Sequence, residues 1–419
     1  MYRLNSLNAD IQLIVDGAWE SKSTNNIMND TIYAFARPLY VMLKPVGPRC
    51  NLGCSYCYYL EKQQWAMSDD APVMSEELLE KFVKEYLAAQ TSRDVFFVWH
   101  GGEPLLRPVA FYEKAVELQR RYGGELHIEN CIQTNGTLLT EEWCRFFREN
   151  GFLVGVSIDG PQFLHDRYRR TADRRPSFES VMQGIDLLRR HGVEWNAMAT
   201  VNRFNADHPH AFYRFFRDLG CRYLQFTPVV EPSPDDGRQQ IVTEESVTPR
   251  QWGNFLCQLF DEWAEHDVGQ ISIQLFEATL ANWMGVTPGL CMLSRHCGHA
   301  GVMEANGDVY SCDHFVFPSY RLGNLTRQTL TSMMYSEQQR SFGQRKMTGL
   351  PRQCHECRFL FACNGECPKN RLLNDHYGQP GLNYLCEGYL QYFAHVAPFM
   401  EQMAQTDINQ TERNKEKPL

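Results

Sequence analysis

Cys50-Asn51-Leu52-Gly53-Cys54-Ser55-Tyr56-Cys57 places three cysteines at a Cys-x3-Cys-x2-Cys spacing, directly after a strand-like run at 39–44 and with no fourth cysteine nearby. Three thiolates leave one iron of a 4Fe-4S cluster open, and an open iron binds a small molecule where a fully ligated cluster only moves electrons. The alternative is a zinc site. Structural zinc takes four closed ligands, so a His or Asp from elsewhere would have to complete it.

Outward from this segment, strand-like runs at 95–99, 127–133, 152–158, 194–201 and 223–228 alternate with helical patterns. Leu79, Phe82, Val83, Tyr86 and Leu87 fall at helical spacing, and comparable helices are predicted near 108–122, 140–150, 177–191 and 205–219. Right-handed crossovers between such units give a parallel sheet, either doubly wound or curled as an open barrel. Polar motifs gather after the strands: Gly101-Gly102-Glu103-Pro104, Gln133-Thr134-Asn135-Gly136, Ser157-Ile158-Asp159-Gly160, and then His165-Asp166-Arg167-Tyr168-Arg169. Barrels build their sites at strand C-terminal ends, so the fold class is read as α/β, a partial (β/α)6 barrel.

The chain of 419 residues carries a formal charge of -9 with 43% hydrophobic residues, which suits a soluble protein of two or three domains, or one large α/β domain with an attachment. Small disulfide scaffolds are excluded, and the acidic balance disfavours a nucleic-acid partner, although the run Arg167-Tyr168-Arg169-Arg170 could grip one small anion. No signal peptide or membrane span is legible, which predicts a cytoplasmic protein without a membrane partner. A disulfide framework is then improbable, and clustered cysteines read as metal ligands. Four of the 15 cysteines, Cys131, Cys144, Cys221 and Cys257, fall in predicted strands and helices and are read as core residues.

The domain reading is an N-terminal extension at 1–36 without an assigned role, the barrel at 37–236, a linking helical segment at 237–290 with a helix at 251–265, a cysteine-rich domain at 291–398 and a polar tail at 399–419. The cysteine-rich domain opens with a predicted hairpin, 301–304 and 309–312, turned at Asn306-Gly307. It closes with a helix predicted at 387–405, and 406–419 reads as disordered. Its cysteines run Cys291, Cys297, Cys312, then Cys354-x2-Cys357-x5-Cys363-x3-Cys367, then Cys386. Spacing alone leaves Cys354 to Cys367 open to a single local metal, such as a zinc ribbon.

The first cysteine motif and the strand-end motifs together resemble the radical S-adenosylmethionine superfamily, and the C-terminal cysteines resemble its SPASM extension. With Cys57-Tyr58-Tyr59-Leu60-Glu61-Lys62 and Cys312-Asp313 added, the chain resembles the anaerobic sulfatase-maturating enzymes from about Tyr40 to Pro398. The resemblance implies S-adenosyl-L-methionine and three 4Fe-4S clusters. Cys50, Cys54 and Cys57 would hold the first, Cys291, Cys297, Cys312 and Cys367 a nearer auxiliary cluster, and Cys354, Cys357, Cys363 and Cys386 a farther one.

It further implies that Tyr56, Gly101, Gly102 and Glu103 serve adenosylmethionine binding, Ser157 its polar end, Arg169 its carboxylate and Val230 its adenine. Tyr59 would face the peptide and Asp313 would act as base. The implied reaction oxidises a Cys or Ser of a sulfatase Cys/Ser-x-Pro-x-Arg segment to formylglycine, with the sulfatase polypeptide as substrate and a low-potential carrier such as ferredoxin or flavodoxin as electron donor. A maturase of another peptide, for instance one forming thioethers, and an iron-sulfur electron carrier or scaffold are the alternatives. The carrier would need neither an open iron nor an adenosylmethionine pocket.

Overall fold

The structure, a computed structural model, describes residues 38–59, 62, 73–233, 241–298 and 300–415, so the N-terminal extension at 1–36 lies outside the described residues. Six parallel strands carry the first half: β1 (Tyr40–Leu43), β2 (Asp94–Trp99), β3 (His127–Thr134), β4 (Leu153–Ser157), β5 (Trp195–Val201) and β6 (Tyr223–Pro228). These are the six runs expected, with ends shifted by a residue or so. A short β7 (Ser272–Ile273) adds a parallel neighbour to β6.

Helices α1 (Glu76–Ala88), α2 (Val109–Gly123), α3 (Glu141–Glu149), α4 (Gln162–Tyr168), α5 (Phe178–Arg190) and α6 (Pro209–Asp218) fill the connections. Ser75 and Thr140 cap α1 and α3 by accepting the backbone N–H of Leu78 and Trp143, which satisfies donors that a first helical turn leaves free. The predicted helix at 205–219 divides into a 3-10 turn, Asn205–Asp207, and α6, because Pro209 has no N–H to continue the turn but suits a first helical position. Helix α4 was not foreseen; it brings His165 and, at its C-terminal end, Arg169 against Asp159.

The hairpin, β8 (Ala300–Met303) and β9 (Asp308–Tyr310), forms at Asn306-Gly307 as its sequence demands, with Gly307 at φ 85°. It does not start a detached sheet. Strand β8 lies parallel to β1 in the register Tyr40↔Ala300 to Leu43↔Met303, so the order is β10-β9-β8-β1-β2-β3-β4-β5-β6-β7 in a single sheet, where β10 is Arg321–Asn324. The cysteine-rich segment is thereby welded to the first barrel strand, and the residues after β1 and β8 share one end, from which β9 runs back.

Further helices are α7 (Pro249–His266), α8 (Gln274–Trp283), α9 (Leu330–Met334), α10 (Glu337–Thr348), α11 (Arg352–His355), α12 (Leu360–Cys363) and α13 (Cys386–Lys415), with a small pair β11 (Leu373–Asn374) and β12 (Pro380–Leu382). Helix α7 starts with a reciprocal capping box between Thr248 and Gln251. It crosses α13 where Gly253 meets Gly388; a Cβ on Gly388 would lie 2.3 Å from the Pro249 carbonyl oxygen. Around that crossing Trp252 packs on Tyr389 and Phe260 on Phe399. Helix α13 runs to Lys415, past the expected stop at 405 and through most of the tail read as disordered.

Candidate active site

The three-cysteine loop leaves β1 and is held from both sides. Gly53 N–H donates to the Arg170 carbonyl (2.8 Å) and Cys57 N–H to the Cys54 carbonyl (3.0 Å). Asn135, just after β3, donates through Nδ2 to Asn51 Oδ1 (2.8 Å) and to Cys50 Sγ (3.7 Å). Burial pushes the Cys50 thiol up to about 12 and Cys54 to about 11, with Cys57 adding to the rise at both. Three adjacent thiols that resist ionisation alone suit a strongly cationic iron-sulfur core, which stabilises the thiolate form.

The glycine motif after β2 is a packing device first. A Cβ on Gly102 would fall 2.0 Å from the Arg49 carbonyl oxygen, and Glu103 N–H donates to that same oxygen (2.8 Å). Strand β2 thus abuts the residue preceding Cys50. Gly101 takes φ +126°, a region open to glycine. The Glu103 carboxylate turns inward onto Leu105 N–H (3.0 Å), Thr134 Oγ1 (2.7 Å) and Asn135 N–H (2.7 Å), and burial pushes its pKa up to about 7 against those donors.

Ser157, at the end of β4, accepts from Gln133 Nε2 (3.0 Å) across the β3–β4 pair. Arg169 is buried, not a solvated surface arginine: its Nε pairs with Asp159 Oδ2 at 3.0 Å. Asp159 also accepts the Tyr56 hydroxyl and both the backbone N–H and hydroxyl of Thr200 (2.9 Å each). Val230, fully buried, follows β6; its carbonyl accepts Lys369 Nζ (2.6 Å) from the cysteine-rich segment. Tyr56, Asp159 and Arg169 therefore form one network beside the three-cysteine loop.

A second network occupies the end shared by β1, β2 and β8, and Asp313, from the segment after β9, joins it. Asp313 pairs with Lys44, accepts the Tyr58 hydroxyl (2.5 Å), and offers its backbone carbonyl to Lys62 Nζ (3.1 Å). Tyr59 donates to Glu304, and Lys44 Nζ sits 3.5 Å from the centre of the Tyr59 ring. Burial opposes ionisation of Asp313, but Lys44, His100, Lys62 and His314 hold its carboxyl well below the usual carboxylate range. Burial holds His100 down to about 4, and its Nδ1 accepts Gly101 N–H (2.8 Å), leaving the remaining proton on Nε2. Sequence reasoning did not single out Lys44, His100 or Glu304. Each lies at the C-terminal end of a predicted strand, the signal that marks barrel sites.

The C-terminal cysteines gather in two groups. Cys367 feels the charges of Cys312, Cys291 and Cys297, and burial raises its thiol well above the ordinary range. Cys354, Cys357, Cys363 and Cys386 line one cavity of about 320 Å³ against Phe359, Tyr389 and Phe393. Cys367 is thus apart from its sequence neighbours Cys354 to Cys363, and the local four-cysteine grouping is not the one assembled. Among the described residues no three His, Cys, Asp or Glu close round a single ion.

Residues 45–216 match the radical SAM superfamily, and residues 294–358 match SPASM, an iron-sulfur cluster-binding domain. The chain is 60% identical, over 91% of its length and 95% of the relative's, to the serine-type anaerobic sulfatase-maturating enzyme of Bacteroides thetaiotaomicron. The chain belongs to the anaerobic sulfatase-maturating enzymes. It is therefore a radical SAM oxidoreductase that uses S-adenosylmethionine and iron-sulfur clusters. Within this family it is also 31% identical, over 85% of the chain and 95% of the relative, to the cysteine-type enzyme of Clostridium novyi. The solved structure of native anSMEcpe with bound AdoMet superposes with a TM-score of 0.79 at 30% identity, covering 88% of this chain and 100% of that one. No helix among the described residues is long and apolar enough to cross a membrane.

Proposed function

We propose that this enzyme oxidises a serine in a sulfatase Ser-x-Pro-x-Arg segment to formylglycine, with three 4Fe-4S clusters on the cysteine sets above. The serine preference rests on likeness: 60% and 38% identity to serine-type enzymes of Bacteroides thetaiotaomicron and Klebsiella aerogenes, against 31% to a cysteine-type enzyme. The chemistry itself needs removal of a hydrogen atom from the serine Cβ, of a proton from its hydroxyl and of one further electron.

Reductive cleavage of bound adenosylmethionine supplies the hydrogen-abstracting radical, chemistry that belongs to the cofactor. The chain supplies the rest. Arg169, held by Asp159, offers its fork to the cofactor carboxylate, and Ser157, held by Gln133, offers its hydroxyl to the cofactor's polar end. Tyr59, its hydroxyl held by Glu304, faces the peptide. Asp313 takes the substrate hydroxyl proton.

The observation that carries this reading is Asp313. It directly follows Cys312, a cluster-ligand candidate, and its carboxylate meets Tyr58, which directly follows Cys57. One carboxylate thus spans the interval between the radical-generating loop and the proposed electron acceptor, where proton and electron must leave together. Its low proton affinity makes it a weak base for an isolated alcohol, but the hydroxyl of a Cβ radical is far more acidic than that of its parent.

Anaerobic incubation of the reconstituted enzyme with adenosylmethionine, reductant and matched Ser- and Cys-containing peptides tests the proposal by mass. The Ser peptide should lose two hydrogens. Conversion of the Cys peptide alone would reverse the target assignment, and 5'-deoxyadenosine without product from either would point to a maturase of another peptide.

A further inference from the structure

The reaction must be started by an electron from outside the chain, and part of the three-cysteine loop reaches the surface. Gly53 and Ser55, at its tip, are exposed. The segment around 169–176 packs beside that tip. Besides the Gly53 to Arg170 hydrogen bond, Leu52 bridges Thr171, and a Cβ on Gly53 would lie 3.3 Å from Ala172 Cα. A carrier docked on this segment stands next to the loop with one layer of backbone between them.

The charge of this face is opposite to that of the molecule. The whole chain carries -9, yet Arg167, Arg174 and Arg175 are exposed here and Arg170 is half-buried. The two acids among them are already engaged. Asp166 accepts the backbone N–H of Ser177 (2.9 Å) and of Phe178 (3.0 Å), and Asp173 pairs with Arg175 (2.6 Å). An open groove on this face is lined by Phe163, Asp166, Arg167, Arg170 and Phe204, with Phe163 54% exposed and the Arg167 guanidinium 5.4 Å from the Phe204 ring centre. A cationic face with aromatic anchors, on an otherwise anionic protein, selects an acidic protein partner and orients it during encounter.

We propose that the 167–175 face is the docking site for an acidic, low-potential redox protein that delivers electrons to the cluster on the three-cysteine loop. The proposal rests on the radical reading of that loop. The carrier loses one electron and the cluster gains it; no bond is made or broken in the docking complex. The single small anion suggested by the Arg167-Tyr168-Arg169-Arg170 run is not what this face fits, because Arg169 turns inward to Asp159 and the other arginines spread along the surface.

The test uses reconstituted holoenzyme and an acidic bacterial flavodoxin carrying FMN. Binding of oxidised flavodoxin is measured anaerobically against ionic strength, for the parent, for Arg174→Glu with Arg175→Glu, and for a control reversal on another face, Lys84→Glu with Arg93→Glu. The parent should bind more weakly as salt rises, and the 174/175 variant should bind about tenfold more weakly with a flatter salt dependence, as expected for lost steering charges. The control should follow the parent.

5'-Deoxyadenosine formation without peptide is then compared using reduced flavodoxin or titanium(III) citrate. The 174/175 variant should lose rate only with flavodoxin. Unchanged flavodoxin binding and rate overturn the proposal. So does an equal loss with both reductants, which would make the loop a mere support for the cluster. A raised KM for sulfatase peptide with flavodoxin binding intact would assign the face to the substrate instead. Because these readouts need no peptide oxidation, they stand whether or not serine is the target. Parent enzyme that makes no 5'-deoxyadenosine with titanium would overturn the radical reading itself.

Discussion

Lys44, the residue after β1, and Asp313, the residue after Cys312, form an ion pair in which the lysine side chain is 0% exposed and the aspartate 17%. A buried charge that loses its partner keeps its desolvation cost and loses its compensation. Lys44→Met should therefore lower the unfolding free energy by about 3 kcal/mol, the lower end of the range for breaking a buried pair. Adding Asp313→Asn to that variant should cost less than the sum of the two single changes, since the second removes the stranded charge. Urea denaturation of the four proteins gives the coupling directly, and strict additivity would mean the two residues do not hold each other.

Gly102 lies where β2 meets the backbone before Cys50. A methyl group there would sit 2.0 Å from the Arg49 carbonyl oxygen, closer than any non-bonded contact allows, so Gly102→Ala must push Arg49 and Cys50 away from β2. The three-cysteine cluster should be lost or labile while the C-terminal groups keep theirs, leaving about two thirds of the iron by the usual count of irons per cluster. Iron and sulfide analysis with circular dichroism checks this. Full parent iron would show that the loop can yield.

Glu103 links pH to stability. Its folded pKa is raised to about 7 by burial, so the folded state holds a proton that the unfolded chain, near 4.5, releases. The sign follows from linkage: the stabilising effect of the neutral carboxyl is complete below about 4.5 and is lost as pH climbs toward 7. Glu103→Gln cannot ionise. Its stability relative to the parent should improve between these pH values, at up to about 1.4 kcal/mol per pH unit, and level off above them. A constant difference over the window would show the carboxylate ionised throughout, carried by its three donors.

The barrel strands were legible because each alternates or runs apolar between glycine-bearing turns, and the helices because Leu79, Phe82, Val83 and Tyr86 repeat at helical period. The pairing of β8 with β1 was not. Nothing local to Ala300–Met303 distinguishes a parallel partner far back in the chain from a hairpin standing alone. The extra length of α13 escaped for a related reason: residues after 405 are polar and aperiodic, yet a helix already nucleated and packed through Tyr389, Phe393 and Met400 propagates at little cost. At the site, cysteines and glycines announce themselves by spacing, whereas Lys44, His100 and Glu304 matter only because the sheet order carries three strand ends to one place.

Asp313→Asn separates the base from its surroundings. Asn keeps the shape and still accepts from Tyr58 through its oxygen, but it no longer neutralises Lys44 and cannot take a proton. The residue follows Cys312, so iron content must be verified first; retained iron shows that the backbone still presents that thiol. On the proposed assignment adenosylmethionine is held by the Tyr56, Asp159 and Arg169 network, which Asp313 does not touch, so its cleavage should persist. Formylglycine formation should drop by about 10²-fold or more, the scale of a lost general base. Because the parent carboxyl is held well below the usual carboxylate range by its cationic neighbours, parent activity should show no acid limb from Asp313 anywhere near neutral pH. Peptide conversion by the Asn variant at close to the parent rate, with iron and 5'-deoxyadenosine intact, would make Asp313 a counter-ion for Lys44 and place the base elsewhere, though not at His100, whose Nδ1 is occupied by Gly101 N–H and whose Nε2 carries the proton.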